Sequence, residues 1–360
     1  MDLAGMIMKK FVVFSLLLLV MYSCGSSEKK EAPEVKRYEL KSKYYKELII
    51  RYPLLSVMGD YLIVSSSMER DTLCHFYAID RNMEEVASYG RLGQGPGEFI
   101  QPVLTYTDGD EFAMNDLNHN VLAIIGVTEK DGGLDIRERI RLKGEYKPKK
   151  GELVPRDIMY TKIGDSHFVS KLEAGEGRFF NLLDSALVPI YSFGESPIKE
   201  EIDSYVSGNR LQGEMHVYKN KVFFGTSDLP YLASYTLCNG RMEKDWSLYY
   251  DTPHYAVSNG DVKFSRESSK GPLFSLQADD NYIYLLYRDG LLWDIETGKS
   301  GRYSDEILVF NHQGEKVACL KLDCNLSEIA LDRKRHKLYG QALMPDDALV
   351  EFDLPKELLK

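Results

Sequence analysis

The residue types best placed to do chemistry are arginines, carboxylates and aromatics that fall between short apolar runs. Arg70, His119, Arg178, Tyr231, Arg266, Arg288 and Trp293 lie in or beside such connections. Arg91, Gln94 and Glu98 lie in a glycine-rich one, Gly90–Phe99. Guanidinium groups, carboxylates and aromatic faces together suit a sugar, a peptide or a protein surface. No motif assigns them a reaction. The chain has no His-Glu-x-x-His for zinc, no Gly-x-Ser-x-Gly nucleophile turn and no EF-hand loop. Its seven histidines are scattered, so no imidazole cluster is expected. No cofactor is called for, with one reservation. Oxygen ligands from distant loops need no linear motif, and Ca²⁺ is the ion that channel carboxylates would take.

The Gly90–Phe99 connection carries four glycines and a proline in ten residues. That composition demands positive φ angles and close backbone approaches. It lacks the Lys-Ser/Thr ending of a phosphate loop, and no helical pattern follows it. The structural expectation is that Phe99 plugs a gap between neighbouring units. The functional expectation is that Arg91, Gln94 and Glu98 join the other residues on a ligand-facing rim.

The rest of the chain reads as the scaffold that holds these connections. Leu273–Leu322 is the clearest copy of a unit of four short β-runs, separated by turns such as Asp279-Asp280-Asn281 and His312-Gln313-Gly314. β-Branched and aromatic runs bounded by Asp, Asn and Gly signal antiparallel strands. The first turn of each unit falls near Asp60, Gly109, Asp165, Asn220, Asp280 and Asp332. A spacing of roughly 50 to 60 residues is that of propeller blades. The pattern predicts an all-β, six-bladed β-propeller of four-stranded antiparallel blades. The last unit shows only three strands, so the segment near Val35–Leu40 is expected to close the ring. A two-sheet sandwich gives no reason for such a period. Helical pattern is confined to Pro197–Ser207 and one terminal turn at Leu354–Lys360. In a propeller the second-to-third and outer-to-next-inner connections share one face, which is where the rim is expected.

Composition narrows the partners. The chain has 360 residues, 44% hydrophobic, with a net charge of −10. A mixed, acidic surface argues against nucleic acid, which needs a concentrated basic face. Cys74 and Cys238 fall in units on opposite sides of a six-membered ring, too far apart to bond. Cys319 and Cys324 are near enough in sequence to pair or to remain free thiols.

The N-terminus supplies an address. Met8-Lys9-Lys10 precedes the apolar run Phe11–Tyr22. Such a run is too short to span a bilayer of roughly 30 Å, but it suits a signal peptide. Met1–Ile7 reads as an upstream extension, with Met8 as an alternative start. Met21-Tyr22-Ser23-Cys24 resembles a bacterial lipobox, with Tyr22 where a small residue is usual. Residues 1–23 are thus expected to be a lipoprotein signal peptide, with Cys24 the lipidated residue. Residues 24–34 read as a polar tether and 35–360 as the propeller domain. The lipid would be the only contact with the membrane.

Gly93-Gln94-Gly95-Pro96-Gly97-Glu98-Phe99 after an outer strand, with repeated Asp/Asn turns and a lipoprotein start, resembles the TolB-like six-bladed β-propeller lipoproteins, whose layout is NHL-like. The resemblance implies an exported six-bladed propeller and little about chemistry. The expected function is non-catalytic binding or scaffolding in the bacterial cell envelope, lipid-anchored at the outer membrane, facing the periplasm or the cell surface. The ligand would be an envelope protein, a peptide or a carbohydrate. The alternative is a propeller enzyme, a metal-assisted hydrolase or lyase acting on a carbohydrate.

Overall fold

Apolar runs such as Tyr282–Leu286 and Tyr61–Ser65 lack strict in–out alternation, because the strands they form are covered on both faces. Leu62, Ile63 and Val64 are all fully buried, as are Ile283, Tyr284 and Leu285. The sheets therefore stand face to face, each filling the groove of its neighbours. The structure, a computed structural model, describes residues 35–49, 53–66, 70–130, 133–144, 157–172, 178–202, 211–264, 275–287, 293–294, 299–300, 304–343 and 347–359. The predicted signal peptide, Cys24, the tether, Arg266 and Arg288 lie outside them.

Two strands open the described chain, β1 (Lys36–Leu40) and β2 (Lys43–Ile49). A four-stranded antiparallel sheet follows, β3 (Leu54–Met58), β4 (Tyr61–Ser65), β5 (Cys74–Ala78) and β6 (Glu84–Tyr89). The second holds β7 (Pro102–Asp108), β8 (Glu111–Asp116), β9 (Val121–Lys130) and β10 (Gly133–Lys143). The third holds β11 (Asp157–Ile163), β12 (His167–Leu172), β13 (Arg178–Leu183) and β14 (Pro189–Glu195). The fourth holds β15 (Gly213–Tyr218), β16 (Lys221–Thr226), β17 (Tyr231–Cys238) and β18 (Arg241–Tyr249). A hairpin of β19 (Tyr255–Ser258) and β20 (Asp261–Phe264) comes next. Then come β21 (Ser275–Ala278), β22 (Tyr282–Leu286), the short pair β23 (Trp293–Asp294) and β24 (Lys299–Ser300), and β25 (Ser304–Asn311). The chain closes with β26 (Lys316–Asp332), β27 (Lys337–Ala342), β28 (Ala348–Asp353) and a 3-10 turn, Lys356–Leu359.

Each sheet is a meander, as short Asp/Asn/Gly turns dictate. The turns at Gly59 and Gly109, with φ of +59° and +57°, need the left-handed conformation that glycine adopts without strain. The last sheet has eight strands in the order β2-β28-β27-β26-β25-β22-β21, with β1 parallel to β26. The first half of β26 pairs with β25 and the second half with β27. Leu320 and Leu322 from one half, Leu326 and Leu331 from the other and Leu338 of β27 share one core, so the sheet doubles back across β26.

The architecture is all-β and propeller-like. Residues 35–360 form one compact unit. Buried clusters join the first sheet to the second, the second to the third and the third to the fourth. Others join the fourth to the β21–β22–β25 half of the last sheet, and its β27–β28 half back to the first. An N-terminal strand closes the circuit, but it is β2, which pairs with β28. The predicted closing segment, Val35–Leu40, instead forms β1 along the outside of β26. Ile198 packs into the core of the third and fourth sheets, and the described part of Pro197–Ser207 is not helical. Among the described residues no helix is long and apolar enough to cross a membrane.

Candidate functional site

The innermost strands β3, β7, β11, β15, β21 and the second half of β26 succeed one another around a single cavity of about 810 Å³. It reaches the inner hairpin turns at Gly59, Gly109, Gly164 and Asn220. Those turns follow the inner strands, whereas the connections chosen from sequence precede them. The cavity therefore lies toward the face opposite the predicted rim.

Its wall is uneven. β3, β7 and β11 contribute neutral hydroxyls, among them Ser56, Thr105, Thr107 and Thr161. The Ser56 and Thr107 hydroxyls are 3.0 Å apart, and Thr107 donates to the Val57 carbonyl at 3.1 Å. β15, β26 and the turn after β26 contribute Glu214, His216, Tyr218, Glu328 and Arg333, while β7 and β11 also bring the ion-paired Asp108 and Lys162. Along β15, Glu214, His216 and Tyr218 alternate with Met215 and Val217, which pack toward the third sheet's core.

At the deep end of this wall, Glu328 accepts from the Ser275 hydroxyl at 2.8 Å. Burial pushes its pKa well above the usual carboxylate range, and the charge of Glu214 adds to the rise. Burial raises Glu214 as well, and Lys171 partly offsets that. Lys171 is 8% exposed and donates to the Gly213 carbonyl at 2.6 Å, with its pKa lowered by burial. Glu328 thus feels the charge of Glu214, and Lys171 acts on Glu214. Among the described residues Glu214 has no hydrogen-bond donor.

Nearer the turns, Arg333 donates to the Ala278 carbonyl at 2.9 Å from Nε and 2.7 Å from Nη2. Its guanidinium lies 4.4 Å from the centre of the Tyr218 ring and 3.4 Å from His216 Nε2. Burial, and then the arginine charge, pull His216 down to about 3, so it is a neutral acceptor at physiological pH. Burial lowers Arg333 too, although the side chain stays open to the cavity. No carboxylate of the described residues forms an ion pair with it. No group of three or more His, Cys, Asp or Glu among the described residues is placed to hold a metal ion.

The residues selected from sequence stand on the other face, mostly tied to near neighbours. The Arg70 carbonyl accepts from Leu92 N at 2.9 Å, which joins a second-to-third connection to the glycine-rich one. Arg91 Nη2 pairs with Glu98 Oε1 at 2.6 Å, and Glu98 Oε2 accepts from Gly95 N at 2.7 Å. That backbone bond, with Arg91, holds Glu98 below the usual carboxylate pKa. Phe99 is fully buried between the first and second sheets. Gln94 is exposed beside this knot. His119 Nδ1 lies 2.9 Å from Asp116, whose carboxylate also accepts from Ile100 N and Gln101 N. Arg178 pairs with Glu195 at 3.1 Å across the β13–β14 edge. Tyr231 is 6% exposed and packs edge-on against Tyr249. Trp293 begins strand β23.

The structure brings Arg70, Arg91 and Glu98 together and leaves Arg178 and Tyr231 apart from them. Sequence reasoning missed Glu214, His216, Glu328 and Arg333. The signal was Glu214-x-His216-x-Tyr218, a polar alternation in a strand otherwise read by its apolar half. Cys74, Cys319 and Cys324 are buried free thiols, so Cys319 and Cys324 do not pair.

No protein-family model and no curated protein matches this sequence. Solved structures do match in fold. A Bacteroides vulgatus member of the DUF4221 family is 11% identical, with 90% of this chain and 98% of that one covered, at a TM-score of 0.55. A protein of Bacteroides fragilis, named only as a candidate exported protein, is 10% identical over 88% of this chain and 98% of its own, also at 0.55. BamB from Moraxella catarrhalis matches at 13% identity and TM-score 0.38, over 83% of this chain and 84% of its own.

Proposed function

We propose that this protein is an exported, six-bladed propeller that binds a ligand or partner without transforming it, as a module of the bacterial cell envelope. The observation that carries the reading is the polar cavity ringed by β3, β7, β11, β15, β21 and β26. Concave sites with a few convergent polar groups are where rigid scaffolds bind. The six-blade count treats the last sheet as two blades hinged on β26, one of β21, β22, β25 and the first half of β26, the other of its second half, β27, β28 and β2. The TolB-like assignment rests on Gly93–Phe99. Envelope location and an outer-membrane lipid at Cys24 rest on the lipobox-like start, and the likeness to a candidate exported protein is in keeping with them. Arg70, Arg91, Gln94, Glu98 and His119 form the proposed rim.

The test is photo-cross-linking in cells from Arg91 and Asn220 positions, one on each face. Capture of the same envelope partner or ligand from either face supports the reading, and no specific capture from both faces overturns it. A Cys24→Ala variant that stays in the detergent-extracted membrane fraction overturns the lipid anchor.

One observation favours the enzyme reading. Glu214 and Glu328 have raised pKa values within the cavity, as a general acid requires. Turnover of glycosides, sugar lactones or esters that is lost in Glu328→Gln would replace the binding reading. Metal analysis of the purified protein tests for Ca²⁺.

A further inference from the structure

We propose that the central cavity binds a short zwitterionic peptide, its ammonium end against Glu214 and Glu328 and its carboxylate end at Arg333. This deepens the binding reading above and rests on it. Acids and a guanidinium stand at opposite ends of one cavity wall. Two acids and one lysine meet at the deep end, so Lys171 offsets one carboxylate at most. The second has Ser275 as its side-chain donor and no cation within ion-pair distance among the described residues. At the other end Arg333 bonds a carbonyl, a neutral imidazole and a ring face, and Asp279 and Asp280 act on it only from beyond ion-pair distance. Burial holds both acids toward their protonated forms, so an ammonium bound between them favours the carboxylates. A ligand carboxylate gives Arg333 an ion pair that it lacks among the described residues.

The spacing sets the length. Glu214 and Tyr218 are four residues apart on β15, which at about 3.3 Å per residue is about 13 Å. Arg333 spans the Tyr218 and His216 levels, so its guanidinium lies about 7 to 13 Å along the strand from Glu214. An extended peptide advances about 3.3 to 3.6 Å per residue, so two to four residues fit. A free amino acid is too short to reach both ends, and a neutral sugar meets neither charge. The opposite wall suits a peptide backbone, because Ser56, Thr105 and Thr107 offer hydroxyl oxygens to amide N–H groups.

The test is calorimetric titration of the purified protein with di-, tri- and tetraalanine, each with free ends, N-acetylated or C-amidated. The expected result is binding of a free-ended peptide that weakens at least tenfold on blocking either end. In a Glu214→Gln/Glu328→Gln double variant, N-acetylation should no longer matter. In Arg333→Gln, C-amidation should no longer matter. Equal binding of free and blocked peptides overturns the proposal, and so does no binding of any free peptide at millimolar concentration. The blocked peptides act on the unaltered protein, so misfolding of a variant cannot rescue the idea. Cross-linked envelope partners would survive that failure, which separates it from failure of the binding reading.

Discussion

Arg335 and Asp80, 255 residues apart in the chain, form a two-point pair, with Nε to Oδ1 at 2.9 Å and Nη2 to Oδ2 at 2.7 Å. The same guanidinium contacts Asp60 and reaches Asp332 at 3.1 Å. The β26–β27 turn is thereby fastened to the turns of the first sheet, beside the seam where β2 meets β28.

Arg335→Ala should destabilise the fold by about 2 kcal/mol, because Asp332, 1% exposed, loses its guanidinium partner and keeps only the backbone N–H of residue 335 among the described residues. Denaturant unfolding at pH 7 checks this. Asp60, held low by Lys334 and then Arg335, and Asp80, held low by Arg335, titrate below their unfolded values. A depressed carboxylate adds stability that is complete above the unfolded pKa of about 4 and lost as pH falls through the folded one. The variant should therefore show less acid sensitivity than the parent between about pH 4 and 2.

Glu328→Gln should raise stability at pH 8 by on the order of 1 kcal/mol and change it little at pH 4. The sign follows from a raised pKa. Between the unfolded and folded values the native state holds the extra proton, so stability falls as pH rises. Thermal unfolding of parent and variant across pH 4 to 8 reads the widening gap.

Gly213→Ala should cost about 2 to 3 kcal/mol or yield insoluble protein. A Cβ there would stand 1.9 Å from the Gly225 carbonyl oxygen, and backbone in a ladder cannot step aside. The melting temperature is the readout. Loss of the Lys171–Gly213 bond would also disturb the acid pair.

Native thiols should label unequally. Cys74 and Cys319 are each pushed up to about 12 by burial, Cys319 also by its bond to Glu306. Among the thiols of the described residues, half-buried Cys238 is the one that iodoacetamide should modify first at pH 8, with Cys74 and Cys319 following only on unfolding. Mass spectrometry of partly labelled protein decides it.

Most strands were legible because their chemistry is local. The turns expected near Asp60, Gly109, Asn220 and Asp280 do separate paired strands, since β-branched runs and Asp/Gly turns act over a few residues. The β19–β20 hairpin passed unseen because Ser258-Asn259-Gly260-Asp261 lies in a connection with little apolar weight. Closure was misplaced by one strand, because Val35–Leu40 is strand-like in its local sequence and only packing decides between it and the β2 segment that closes the circuit. The cavity was harder still. Glu328 sits beside Ser327 in a mixed run of β26, and nothing nearby in sequence reveals that Ser275 and Glu214 meet it across neighbouring strands.

The unbroken course of β26 limits how the protein can be re-engineered. Gly90–Gln101 and other inter-sheet joins contain non-strand residues that give slack for added length. Asp323-Cys324-Asn325 gives none, since it is a single rigid spine that leaves one sheet half and enters the next. Grafted loops and new termini should be accepted at the former and should split the barrel-like wall at the latter.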